Sequence, residues 1–284
     1  SGEFTDDLGS LLIEIEDYDA HLFASLRLGE LAEHDVGGGF GGDPDALPEN
    51  GGGRVTMRGD VWTMGRHRLM CAKTTRASVR TLVDGQDVAF LHTTPGKSMA
   101  WWAIWEANIA KNASAMIWAE TAPMWQWWFT ELKPGLRYVR NEIVWRKETG
   151  KVQPGHIYTT TTERALLFML GNRNAKRGRA FFDNAHDNMR DVWDFEPVDG
   201  AKPTALVERA IKSSCPDAGV VADPFCGTGT TIIAAERTGR ACVAMGTAAN
   251  LVDLAVRRWE AYTAGSAILA DTGETFDEVE ARRS

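Results

Sequence analysis

Short apolar runs recur along the chain with helix-length segments between them, and this rhythm gives the first expectation about the fold. The runs are His67 to Ala72, Val88 to Leu91, Ala115 to Ala119, Glu142 to Trp145, Ala165 to Leu170, Val220 to Ala222 and Ala241 to Met245. Runs this short, rich in β-branched and aromatic residues, suit strands. Between and after them the spacing predicts helices over about Arg76 to Val83, Met99 to Asn112, Pro203 to Ser214, Thr230 to Thr238 and Leu251 to Tyr262. Alternating strand and helix implies an α/β chain built on a doubly wound, mostly parallel, seven-stranded sheet covered on both faces.

Upstream, Asp19 is placed to cap a helix from about Ala20 to Glu33, with Leu22, Phe23, Leu26 and Leu31 as its apolar stripe. An amphipathic helix docked on the body is the favoured reading, and an acidic partner-binding or DNA-mimicking arm the alternative. Residues 37–53 hold eight glycines and two prolines and read as a flexible linker. The expected organisation is therefore an acidic arm over 1–36, the linker, a catalytic-type domain over 54–265 and an acidic C-terminal tail over 266–284.

The net charge of -8 changes this picture because it is unevenly spread. Residues 1–50 carry 13 acidic groups against one basic, Arg27, whereas 51–284 carry 30 basic and 26 acidic, so the body can accept a polyanion. Four cysteines without a Cys-x-x-Cys spacing and six scattered histidines predict buried free thiols and no metal site. The absence of an apolar run of membrane-spanning length and of a leader-like start predicts a soluble, cytoplasmic chain.

Chemistry concentrates where Val220-Val221-Ala222 runs into Asp223-Pro224-Phe225-Cys226-Gly227-Thr228-Gly229-Thr230-Thr231. Glycines let the backbone approach a ligand, and the helix that follows offers unpaired N–H groups to a carboxylate or phosphate. Seven of the eleven tryptophans fall between Trp101 and Trp128. An aromatic core explains most of them, and a stacking face for bases or a partner is the alternative. The polar stretch from Gly171 to Val192 carries Arg173, Lys176, Arg177 and Arg179. It reads as a solvated loop or as a phosphate-contacting one, the candidate target-recognition loop being 171–193.

Together with Gly59-Asp60-Val61-Trp62, Gly65-Arg66-His67-Arg68-Leu69, Glu142-Ile143-Val144-Trp145, Lys202-Pro203 and Ala255-Val256-Arg257-Arg258-Trp259, the glycine turn resembles the DNA amino-methyltransferases. Those enzymes methylate adenine N6 or cytosine N4 with S-adenosylmethionine. The resemblance spans about Arg54 to Gly265 in the motif order of the β group, and it implies a Rossmann-like methyltransferase fold. It also implies that Asp223 meets the cofactor's α-amino group, and that the turn from Pro224 and Phe225 through Gly227 and Gly229, with Thr228, Thr230 and Thr231, meets its α-carboxylate.

Three positions depart from the family pattern. An Asp-Pro-Pro-Tyr or near variant holds the reacting amine in the family, while the equivalent strand end here reads His92-Thr93-Thr94-Pro95. The carboxylate that grips the ribose hydroxyls is replaced by Gly246, and the acidic residue near the adenine by Lys73. The first reading is a pseudo-methyltransferase that binds DNA or a partner, the partner being a second copy or an active methyltransferase. The second is an enzyme with altered base-modifying chemistry on S-adenosylmethionine or a related ligand. The third is an ordinary adenine-N6 or cytosine-N4 methyltransferase using unusual residues.

Overall fold

A computed structural model describes residues 42–48, 54–94, 101–108, 113–119, 139–151, 159–169, 190–198 and 201–284. The chain divides into two units, Ser1–Gly41 and Gly42–Ser284, and every described residue belongs to the second. The expected helix over Ala20 to Glu33 lies outside the described residues.

The strands are β1 (Val61–Met64), β2 (His67–Cys71), β3 (Val88–Thr93), β4 (Ser114–Ala119), β5 (Val139–Lys151), β6 (Thr160–Met169), β7 (Val192–Asp194), β8 (Val220–Asp223), β9 (Ala241–Gly246) and β10 (Ile268–Leu269). They form one sheet in the order β10-β1-β2-β9-β8-β3-β4-β6-β5-β7. The middle block, β2-β9-β8-β3-β4, is parallel throughout, while β6 runs antiparallel to both β4 and β5. The expected seven strands are all present, β1, β7 and β10 bring the sheet to ten, and antiparallel pairing by β6, β1 and β10 makes it mixed rather than mostly parallel at its margins. β1 and β2 form a hairpin whose two-residue turn starts with Gly65 at φ 55°, a conformation that suits glycine at the first turn position.

The helices are α1 (Arg76–Val83), α2 (Trp102–Glu106), α3 (Thr204–Ser214), α4 (Thr230–Arg237), α5 (Ala249–Thr263) and α6 (Phe276–Arg283). Thr75 and Ser78 cap α1 reciprocally, as Thr275 and Glu278 cap α6. Strand alternation then sorts the sheet's two faces. Leu91, Ala115, Ile117, Ala222, Val243 and Met245 join one core cluster with Val79 and Leu82 of α1 and Trp102 and Trp105 of α2. The residues in between, among them His92 and Trp118, therefore point to the opposite face, where Thr231 of α4 meets His92. Trp62, Trp105, Trp118, Trp145 and Trp193 are fully buried, so among the described residues the tryptophans serve the core, as the simpler reading expects.

Two segments set apart on composition are bonded to this body. Within 37–53, residues 42–48 are held against α3 and α5 by Asp45 and the Pro44 carbonyl, so this part of the expected linker is not free chain. The acidic segment 266–284 adds β10 to the edge of β1 and buries Phe276 and Val279 of α6. Phe276 packs on Trp62 with ring centroids 5.0 Å apart, and Arg283 pairs with Asp60. Phe276→Ala should therefore cost about 3–5 kcal/mol in urea denaturation. A loss below ~1 kcal/mol would mean that the segment is only laid on the surface.

Candidate functional site

The parallel strands end side by side at Cys71, Gly246, Asp223 and Thr93, and the glycine turn leaves β8 directly above this edge. Gly227 at φ 53° and Gly229 at φ 84° bend the chain into α4. A Cβ on Gly229 would stand 2.9 Å from the Ala255 Cβ, so close packing on α5 requires glycine here as much as the backbone angle does. Nothing lies within 4 Å of a Cβ built on Gly227, and that side of the turn is open.

Asp223 is buried at the end of β8, and its carboxylate is satisfied from within the chain. The Phe225 N–H (2.9 Å) and Thr93 hydroxyl (3.3 Å) donate to Oδ1, and the Thr231 hydroxyl (2.6 Å) donates to Oδ2. Burial nonetheless dominates and pushes its pKa up to about 6. His92 is 3 % exposed on β3 and is equally committed. The Trp118 indole N–H donates to its Nε2 at 2.9 Å, which leaves the proton on Nδ1, 3.4 Å from the Thr231 oxygen. Burial, with Lys202 nearby, lowers its pKa to about 3, so the ring is neutral at physiological pH.

Lys202, just before α3, completes this buried patch. Its ammonium donates to Glu163 Oε2 at 2.6 Å and lies over the rings of Trp118 and Trp145 at 5.5 and 5.4 Å, while Lys147 donates to Glu163 Oε1 at 2.6 Å. The two ammonium groups hold the Glu163 carboxyl below its ordinary range against burial, and burial lowers Lys202. Lys202 stood out in the sequence only as part of Lys202-Pro203 and Trp118 only as one of the seven clustered tryptophans, and nothing in the pattern pointed to Glu163.

The structure thus gathers His92, Thr93, Asp223 and Thr231 into one network, with Phe225 contributing its N–H. Thr228 and Thr230 face Arg258 of α5 instead. Pro224 and Thr94 are not part of that network, Thr94 being exposed, and Pro95 lies outside the described residues. Gly246 has no room for a side chain, since a Cβ would stand 2.8 Å from Val252 Cγ2 and 3.6 Å from Cys226 Sγ. Lys73 is exposed beside it. Arg173, Lys176, Arg177 and Arg179 lie outside the described residues. All four cysteines are buried and free, and among the described residues no cluster of His, Cys, Asp or Glu could hold a metal ion. No helix among them is long and apolar enough to cross a membrane.

The two shifted groups act oppositely on stability. Unfolded His92 takes a proton below about 6.5 and folded His92 only below about 3, so acidification through that window favours unfolding. Folded Asp223 is protonated below about 6 and unfolded Asp only below 3.8, so acidification between those values favours folding. Asp223→Asn removes the second effect. Its stability should fall more steeply between pH 5.5 and 4.5, by about 1.4 kcal/mol per pH unit, than that of the unchanged chain in paired urea titrations. Equal slopes would contradict the assignment.

Residues 96–257, more than half of the chain, match the family described as DNA methylase. The type II methyltransferase M.ScaI of Streptomyces caespitosus is 37% identical over 100 residues, covering 30% of this chain and 33% of that protein. M2.DpnII of Streptococcus pneumoniae is 28% identical over 140 residues, 43% of this chain and 52% of its own. The matches thus span about half or less of these relatives. Among solved structures, the M1.HpyAVI–SAM complex superposes with a TM-score of 0.56 at 18% identity, over 68% of this chain and 98% of that one. The cytosine-N4-specific PvuII DNA methyltransferase gives 0.52 at 11% identity, over 86% and 94%. These likenesses agree with the Rossmann-like sheet described above, and the matched region contains the glycine turn and begins just past His92-Thr93-Thr94-Pro95. The chain belongs to the N6/N4 DNA methylase family.

Proposed function

We propose that this chain is a pseudo-methyltransferase: a family member that has lost standard amine methylation and uses the fold to bind DNA or a protein partner. The observation that carries this reading is the state of His92. At the strand end where the family holds the reacting amine, both ring nitrogens are engaged inward, by Trp118 and Thr231. A neutral, buried imidazole so engaged has no free acceptor for a substrate amine.

The cofactor side supports the same reading. S-adenosylmethionine is the cofactor the fold implies, and the residues do not fit it well. The carboxylate expected to meet its amino group already accepts from three donors of this chain. Where a carboxylate would grip the ribose, Val252 occupies the space a side chain at Gly246 would need. Near the adenine, Lys73 brings a cation in place of an acid. Loss of one charge-assisted hydrogen bond weakens binding about tenfold to a hundredfold.

An enzyme with altered chemistry is the second reading, and one observation favours it: the turn keeps both glycines at positive φ and an open side above Gly227. Labelled methyl transfer to unmodified DNA, run beside calorimetric titration with S-adenosylmethionine, separates the readings. The pseudoenzyme gives no label above a boiled control and no micromolar binding; binding with methyl transfer sinks it. Micromolar binding without transfer, or a new nucleoside in co-expressed DNA, favours the second reading.

The segment over 171–193, whose last two residues lie in β7, is the proposed DNA-contacting element, and a homodimer or a pairing with an active methyltransferase is the proposed assembly. Replacing Arg173, Arg177 and Arg179 by Ala should reduce the salt slope of DNA binding by about one unit per lost phosphate contact. An unchanged slope moves the DNA surface elsewhere.

A further inference from the structure

Helix α3 begins after Pro203, which offers no side-chain cap. The cap comes from far upstream: Asp45 Oδ1 accepts from the Thr204 N–H at 2.8 Å and from the Thr204 hydroxyl at 2.6 Å. The same carboxylate faces Arg258 of α5 at 3.6 Å, and the Pro44 carbonyl accepts from Arg258 Nη2 at 2.7 Å. Arg258 is 4 % exposed and turns its other terminal nitrogen, Nη1, toward the glycine turn. There it donates to the Thr230 hydroxyl oxygen at 3.0 Å and the Thr228 carbonyl at 3.3 Å. One guanidinium fork therefore joins the segment 42–48 to the turn.

The chemistry of that fork gives the connection a direction. A cation this deeply buried needs an anion beside it, and the carboxylates that act on Arg258 are Asp45 and, more weakly, Asp43. With Asp45 in place, the guanidinium stays between the segment and the turn. Arg258 then occupies acceptors on the protein side of Thr228 and Thr230, which leaves the Thr230 hydroxyl proton free to point away from it. Three residues earlier on the same helix face, Ala255 leaves just enough room for Gly229. The seat of the turn is thus made by α5, and α5's only charged contact with the turn among the described residues is itself seated by Asp45.

We propose that Asp45 is a positioning residue for the glycine turn, acting through Arg258, so that docking of segment 42–48 and the order of the turn are coupled. Displacement of the segment would loosen the turn, and loosening of the turn would release the segment by the same factor. The coupling is independent of whether the turn takes S-adenosylmethionine, another anion or nothing, so it stands apart from the pseudoenzyme reading.

Amide hydrogen exchange on the intact chain tests it. The Gly229, Ile232 and Ile233 amides are bonded within the turn and its helix start, and Leu206 and Val207 report the first turn of α3. Asp45→Asn keeps an oxygen to cap α3 but removes the charge facing Arg258. It should speed exchange at Gly229, Ile232 and Ile233 about tenfold relative to Val221 and Val243, with Leu206 and Val207 unchanged. Asp45→Ala should loosen both regions. Adding Asp45→Asn to Arg258→Gln should speed the turn no further than Arg258→Gln alone. Turn amides that exchange in Asp45→Asn as in the unchanged chain overturn the proposal. So do a uniform acceleration that includes the core strands, which marks a merely structural role, and additive effects in the double variant.

Discussion

A carboxylate buried at the end of the central strand governs the C-terminal edge of this sheet. Placing Asp223 away from water costs several kcal/mol, and donors from β3, from the turn and from α4 offset that cost. Because the donors come from three elements, the carboxylate also fixes where those elements stand. Thr231 spends its proton on Asp223, so its oxygen is left to accept, and His92 Nδ1 lies in place to donate. The Trp118 indole then completes the chain at Nε2. Each proton's position follows from the one before it, and the starting constraint is the buried charge.

On the proposed reading, the family fold is kept while its site changes character. The resemblance implies ligand-facing groups at these positions; in this chain they bond to one another. The change is local, because the strands that carry them are held by an apolar core that does not depend on the site. Glycines remain at 227 and 229 for reasons of backbone angle and packing on Ala255, so their presence reports the fold before it reports a cofactor. Gly246 makes the complementary point. Its lack of a side chain is matched by Val252, whose methyl would stand 2.8 Å from a Cβ there, so a carboxylate at this position would require Val252 to change as well.

Much of the fold could be read from sequence because strands in the parallel block are continuous apolar runs between amphipathic helices. α1 is found at the expected bounds, Arg76–Val83, since Thr75 caps it and Val79, Leu82 and Val83 mark one face. β7 and β10 escaped notice because strands of three and two residues at a sheet edge are too short for a periodic signal. α6 is highly charged and read as tail, although Thr275 and Glu278 carried a capping-box spacing that could have revealed it. The site was half legible. Composition and resemblance identified Asp223, Thr231 and His92, but periodicity assigns residues to faces and not to one another. The bond between His92 and Thr231 crosses 139 positions of sequence, and that between Asp45 and Thr204 crosses 159. Glu163 lay in a strand that looked purely structural, and Trp118 stood out only as one of the clustered tryptophans.

The ring of His92 reports most directly on this network and on the proposed reading of it. Nitrogen-15 spectra of histidine-labelled protein at pH 7, recorded with and without S-adenosylmethionine, report its tautomer and its exposure together. The account predicts a neutral ring protonated at Nδ1, slow to exchange with solvent, with shifts that stay in place as the ligand is added. A protonated or rapidly exchanging ring, or shifts that move with a micromolar midpoint, would contradict it.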